Sequence, residues 1–309
     1  MFGDLEYLTT ETGAVLAFRR HAAIGSPRGI VLICHGITEH SDRYGELAAC
    51  LAQFGFHVYA HDHRGHGHTW ACDAPLGRFA WRHGEDAVVR DFLSMRDATV
   101  ARHPDLPVVI IGHSLGSIIS LRFAELFPDK LNALVLSGVN IHMGLLARLG
   151  QGLLLVEQML KGSDVPSRVG ARLALDVWAD SVDNAETPYD WLSFDRENVA
   201  TYLADPLCGQ AISVSLWRDV LALGYRTRPR SELRKLRLTL PVHLVGGDQD
   251  PVTHNGKTLR WLEKRLAAAG MRNVTLRIWP SMRHEIFQEL GRNDVNDSIG
   301  RWCRSVVDP

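Results

Sequence analysis

Ser114 lies at the centre of Gly112-His113-Ser114-Leu115-Gly116, a G-x-S-x-G pattern, and two groups able to activate its hydroxyl follow later in the chain. Gly246-Gly247-Asp248-Gln249-Asp250 offers two carboxylates, and Ser281-Met282-Arg283-His284-Glu285 offers an imidazole. A serine hydroxyl is a weak nucleophile until an imidazole removes its proton. A carboxylate behind that imidazole fixes its tautomer and supports its charged form. These residue types suit nucleophilic attack on an acyl carbon, provided the fold brings three distant segments together.

The flanking elements give the short pattern its weight. Val108 to Ile111 is a run of four β-branched residues, suited to a strand buried on both faces of a parallel sheet. From Leu115 onward Ile118, Ile119, Leu121, Phe123 and Ala124 recur at helical spacing. A strand that becomes a helix so abruptly strains its middle residue, and small glycines on either side make that tolerable. Ser114 is that residue, held toward solvent with the first amides of the helix beside it. The apolar run Gly29 to Cys34 opens likewise into His35-Gly36-Ile37-Thr38-Glu39-His40, which makes the Ile37 amide a candidate second donor for an oxyanion. His35 could be read as a base, but a base in this arrangement arrives on a later loop. Pro241 to Val245 and Val274 to Trp279 read as the strands that deliver the carboxylate and His284.

The remaining pattern predicts an α/β fold with a mainly parallel sheet and helices on both faces. Residues 4–9 and 14–20 read as an edge hairpin, His57 to His61 and Leu131 to Leu136 as strands, and 84–101, 255–269 and 295–306 as helices. Residues 41–54 form a further helix with Ser41 as its cap. The alternation stops between residues 139 and about 215, where no buried strand is evident. Leu145, Leu149, Leu153, Val156 and Leu160 form a helical stripe there, widened by Leu146, Leu154, Leu155 and Met159. A helix so broadly apolar buries two sides, or keeps one for an apolar ligand or a membrane surface. Residues 139–215 are therefore expected to form a helical lid over a core of 1–138 and 216–309.

Composition narrows the function classes. The 34 Lys plus Arg nearly cancel the 35 Asp plus Glu among 309 residues, which leaves no electrostatic footprint for nucleic acid. The start lacks the charged and apolar regions of a secretory leader, and no run is long and apolar enough to span a bilayer, so a cytoplasmic protein is expected. The basic residues Arg226, Arg228, Arg230, Arg234, Lys235 and Arg237 read as a solvated face, with anionic headgroups as the alternative partner. Cys34, Cys50, Cys72, Cys208 and Cys303 lack metal-type spacing and read as reduced, buried thiols. His61, His63, His66 and His68 invite a metal reading, yet Gly65 and Gly67 imply a tight loop, and Asp62 is the sole carboxylate among them. A loop fixed by Asp62 and Arg64 is the expected alternative.

The segments HGITEHSDRY, DHRGHG, GHSLGS, LADPLCG, GGDQDPV and SMRHEIFQE together resemble the monoacylglycerol lipase and lysophospholipase branch of the α/β-hydrolases, from about residue 30 to 290. The order Ser, Asp, His is that of this fold. The resemblance implies Ser114 as nucleophile, Asp250 in preference to Asp248 as acid, His284 as base, and the Ile37 and Leu115 amides as oxyanion hole. It implies no metal and no organic cofactor. The substrate it implies is an ester of a single-chain lipid, with transient membrane-surface contact through the lid. A general carboxylesterase, another triad hydrolase or acyltransferase, and a ligand-binding receptor of the same fold are the alternatives.

Overall fold

The computed structural model describes residues 2–142 and 144–308, and the side chains of Leu145 and Leu146 lie outside that description. Eight strands form one sheet: β1 (Glu6–Thr9), β2 (Val15–His21), β3 (Gly29–Cys34), β4 (Phe56–His61), β5 (Val108–His113), β6 (Ala133–Ser137), β7 (Val242–Gly247) and β8 (Val274–Trp279). Their order is β1-β2-β4-β3-β5-β6-β7-β8. The hairpin β1–β2 is antiparallel and joins the sheet antiparallel to β4, whereas β3 to β8 are parallel. The helices are α1 (Gly45–Gln53), α2 (Gly84–Arg102), α3 (Leu115–Leu126), α4 (Leu145–Lys161), α5 (Arg168–Leu173), α6 (Leu175–Asp180), α7 (Arg196–Ala204), α8 (Val214–Thr227), α9 (Arg230–Leu233), α10 (Lys257–Ala269) and α11 (Arg292–Val307).

The continuous apolar strands have a simple cause. Val109 and Ile111 of β5, with Val31, Ile33 and Val58, pack against Leu47 and Leu51 of α1 and Val295 and Ile299 of α11. Val108 and Ile110, with Ile30, Leu32 and Leu134, face the opposite way onto Phe92 of α2, Leu121 of α3 and Leu262 of α10. With both faces covered, alternate residues all find apolar partners, each burial worth about 1.5–3 kcal/mol. The parallel strands carry their loops at one rim, where the candidate groups converge.

Two expectations need correction. Ser41 does not cap a helix: Ser41–Tyr44 is a 3₁₀ turn entered from His40 with no side-chain cap, and α1 begins only at Gly45. The Ser41 amide is taken instead by Asp62 Oδ1 at 2.8 Å, which ties this turn to the next loop. The thiols are free, but Cys72 is exposed and Cys50 only partly buried, because both lie outside the two sheet faces that cover Cys34 and Cys303.

The histidine-rich loop is held by its own polar groups. Asp62 accepts from the Ser41 and His68 amides, and His63 Nε2 donates to His35 O at 3.1 Å. Burial pushes His61 and His66 down to about 4 and His35 and His63 well below the usual imidazole range. Arg64 is fully buried, with Nε on Asp91 Oδ2 at 2.7 Å, Nη1 on Phe79 O at 3.0 Å and Nη2 on Thr12 Oγ1 at 3.2 Å.

Between β6 and β7 the described residues contain helices and no strand, with one isolated bridge from Pro166 to Ser213. The last long helix of this insertion, α8, packs on α2 and α3, and its Leu216 and Leu223 join the sheet core. Basic residues after it are anchored: Arg226 pairs with Glu85 and Asp86, and Arg237 Nη2 donates to Leu131 O at 2.6 Å. Leaving Asp91 buried without its cation should destabilise the fold strongly. Arg64→Ala is expected to lower unfolding free energy by about 3–5 kcal/mol in urea titrations, and a loss below ~1 kcal/mol would show that the pair contributes little.

Candidate active site

Ser114 has φ 51° and ψ −116°, in the region L-residues avoid, and the strand gives way to α3 within that one residue. Such a conformation costs on the order of 1–3 kcal/mol and persists only when its surroundings enforce it. The Ser114 amide donates to Ser137 O at 2.8 Å, and Ser117 Oγ lies 2.8 Å from both Gly112 O and Ser137 O. Gly116 lies so close to β3 that a Cβ there would come within 2.1 Å of Cys34 O. The elbow is thus fixed by β3, β5 and β6 together.

The carboxylate that reaches the imidazole is that of Asp250. His284 Nδ1 lies 3.0 Å from Asp250 Oδ2, with both residues buried. Asp250 is itself oriented, because Oδ1 accepts from the Val252 amide at 2.9 Å and Oδ2 from Thr253 Oγ1 at 2.8 Å. Burial disfavours the charged imidazole, but the Asp250 charge and hydrogen bond outweigh it, and the His284 pKa is raised above its ordinary 6.5. Gly138, at φ 61°, lets the chain leave β6 beside this ring, since a Cβ there would sit 2.8 Å from His284 Cε1.

His284 is next to the elbow. Its ring centroid lies 4.8 Å from that of His113, the residue before Ser114. Among the described residues no hydrogen bond joins Ser114 Oγ to His284, so the hydroxyl and imidazole are neighbours across the rim, not yet engaged. Such bonds commonly tighten only once substrate is bound. The loop after β3 closes the other side, where a carbon added to Gly36 would come 3.3 Å from Ser114 Cβ. Leu115 opens α3, where the first amides have no intrahelical acceptor, and among the described residues no acceptor takes the amides of Ile37 or Leu115. His35 is not placed to act as a base. Its Nδ1 meets Gly36 O at 2.7 Å and its Nε2 accepts from the His63 amide at 2.9 Å.

A buried ion network that periodicity could not reveal supports this loop. Arg43 Nη1 lies 2.8 Å from Glu39 Oε2 and 2.5 Å from Glu285 Oε1, while Nη2 reaches Glu285 Oε2 and Asn198 Oδ1 at 2.8 and 2.9 Å. Burial alone would push both carboxyls up; the guanidinium holds Glu285 at about 2, whereas Glu39 stays raised. Glu39 also accepts from Tyr44 OH at 2.7 Å and the Gly36 amide at 2.5 Å, which shapes the loop carrying Ile37. Arg43 and Glu285 lie in the motifs HGITEHSDRY and SMRHEIFQE, but only the fold shows that they meet. A histidine NMR titration should find His284 titrating above 6.5 in the wild type and below it in Asp250→Asn, where only the lowering effect of burial remains. An unchanged value in the variant would remove Asp250 as the partner.

Comparison with known proteins agrees with this architecture. Residues 25–291 match the family model Hydrolase_4, described as Serine aminopeptidase, S33. The chain is 31% identical to a monoacylglycerol lipase of Mycolicibacterium smegmatis over 285 residues, covering 90% of this chain and 89% of that protein. It is 27% identical to the human monoglyceride lipase over 304 residues, covering 97% and 90%. Among solved structures, a thermostable carboxyl esterase from Bacillus coagulans superposes with a TM-score of 0.86 at 25% identity, covering 98% of each chain. With its parallel sheet, its serine elbow and a match over most of its length, this chain belongs to the Hydrolase_4 (serine aminopeptidase, S33) family of α/β-hydrolases.

Proposed function

We propose that the protein is a serine ester hydrolase that cleaves single-chain lipid esters, monoacylglycerol or lysophospholipid, through an acyl-enzyme. The observation that carries this reading is the buried His284–Asp250 pair at 3.0 Å, packed beside the strained elbow that presents Ser114. His284 takes the Ser114 proton as the hydroxyl attacks the ester carbonyl, and Asp250 supports the imidazolium that forms. The oxyanion is met by the amides of Ile37 and Leu115, each worth roughly 3–4 kcal/mol in comparable sites. His284 returns the proton to the departing alcohol, water repeats the attack, and the free acid leaves. None of these steps calls on a metal or an organic cofactor.

An ester substrate is favoured over an aminopeptide by the local charges. An aminopeptidase needs a free carboxylate for the substrate ammonium, whereas Glu39 and Glu285 are both engaged by Arg43. The relatives named as monoacylglycerol and monoglyceride lipases support the lipid reading. So does the surface of residues 139–215, which we take as the lid. Leu149, Leu153, Leu155, Val156, Met159 and Leu160 on α4 are all about half exposed or more, Met159 and Leu160 reaching 78% and 79%. Such a patch suits transient contact with a lipid surface by a cytoplasmic protein; no helix among the described residues is long and apolar enough to cross a membrane.

Ser114→Ala should abolish turnover and labelling by a fluorophosphonate, and Asp250→Asn should lower kcat by about 10⁴-fold; labelling retained at another serine would refute the assignment. Long-chain monoacylglycerol should exceed an acetyl ester in kcat/KM, and the reverse order would leave only a general carboxylesterase. Replacing Leu153, Met159 and Leu160 together by Ser should weaken co-sedimentation with phosphatidylcholine vesicles while leaving hydrolysis of a short soluble ester within about twofold, as expected of surface substitutions. Undiminished sedimentation would exclude α4 as the contact.

A further inference from the structure

Residues on both sides of His284 hold a segment of the insertion in place. Arg283 Nη1 donates to Asp190 O at 2.6 Å and to Ser193 O at 3.3 Å, and the Glu285 amide donates to Leu192 O at 2.8 Å. These bonds bracket Trp191, so its placement relative to the imidazole is set by the histidine's own loop. The Trp191 and His284 ring centroids are 5.5 Å apart at a 43° tilt, and Trp178 lies 4.9 Å from Trp191.

Trp191 is 5% exposed, and its Nε1 is buried with no hydrogen-bond partner. An indole N–H is a donor only and in a protein interior is normally paired. Trp217 and Trp279 share the deficit, but Trp217 packs on Gly170 of the insertion and Trp279 lies beneath Arg277. Among the described residues, the unpaired indole beside the candidate catalytic imidazole is that of Trp191.

We propose that Trp191 Nε1 donates a hydrogen bond to an oxygen carried by the leaving alcohol, near the scissile ester, and so selects esters of polyols over esters of simple alkanols. The inference rests on the reading of Ser114 and His284 given above. The imidazole hands its proton to the departing alkoxide, so the alcohol half of the substrate must pass beside this ring. An unpaired donor fixed there favours an alcohol that brings an acceptor and gains nothing from an alkyl chain. A site built to bond a substrate oxygen discriminates against the analogue lacking it.

The test compares three decanoate esters of similar size, 2-hydroxyethyl, 2-methoxyethyl and n-butyl, on the full-length wild type, Trp191→Phe and Trp191→Tyr. Wild type should show kcat/KM for both oxygenated esters roughly three- to tenfold above the butyl ester, the range of a single hydrogen bond. Trp191→Phe keeps the ring and loses the donor, so the preference should vanish while butyl ester hydrolysis stays within about twofold. Trp191→Tyr, with no donor at the indole position, serves if the Phe protein is poorly folded. Absence of the preference in wild type, its survival in the variants, or an equal loss on all three esters would each overturn the proposal. Turnover that persists in Ser114→Ala would instead defeat the underlying hydrolase reading. Ser114-dependent hydrolysis without the oxygen preference would defeat Trp191 alone.

Discussion

At Ser114 the backbone is held at φ 51°, a conformation that a serine would leave if its neighbours allowed it. They do not, because the amide is fixed to Ser137 O of β6, Ser117 Oγ lies against Gly112 O and Ser137 O, and Gly116 abuts Cys34 O of β3. Three central strands therefore share in imposing the strain. Slippage of any of them would release the elbow, so the position of the hydroxyl inherits the rigidity of the most deeply buried part of the sheet. The loops that meet it, after β3, β7 and β8, leave the same rim for the same topological reason.

The charged network at Arg43 acts on a different scale. One guanidinium between two buried carboxylates gains little net stability over an apolar cluster, because its desolvation cost is large. Its value lies in what it connects: Glu39 shapes the loop with Ile37, Glu285 follows His284, and Asn198 belongs to α7. The Arg43 guanidinium also lies 5.0 Å from the ring centre of Tyr202, whose hydroxyl is 2.7 Å from Thr38 Oγ1. The oxyanion-side loop, the histidine loop and the insertion thus share one set of polar contacts. Movement of α7 is coupled to the shape of the rim beneath it.

Much of this is legible in the sequence where local chemistry is decisive. Runs such as Val108 to Ile111 announce a doubly covered strand, and G-x-S-x-G flanked by strand and helix announces the elbow. Asp250 is distinguished from Asp248 only by resemblance, and the fold gives a physical reason: the turn aims Asp250 at His284 through bonds from Val252 and Thr253. Contacts between distant segments are not legible. Arg43 reads as one more arginine in a polar loop, Trp191 as one more aromatic in an irregular stretch, and Ser41 as a plausible cap until Asp62 claims its amide. Each depends on a partner dozens to hundreds of residues away, beyond the reach of any periodicity.

The way the insertion is attached has an evolutionary corollary. It departs from β6 and returns to β7, neighbours paired in register from Leu134 with Val242 to Ser137 with Val245. Its entry and exit are therefore fixed by adjoining ladders, while α8 remains welded to α2 and α3. A block spanning roughly the stretch from Val139 to Ser213 could be exchanged between relatives as a cassette without disturbing the strands that set the elbow. Diversification would then proceed by grafting new roofs onto an unaltered chassis, constrained chiefly by the few carbonyls that Arg283 and Glu285 must still find.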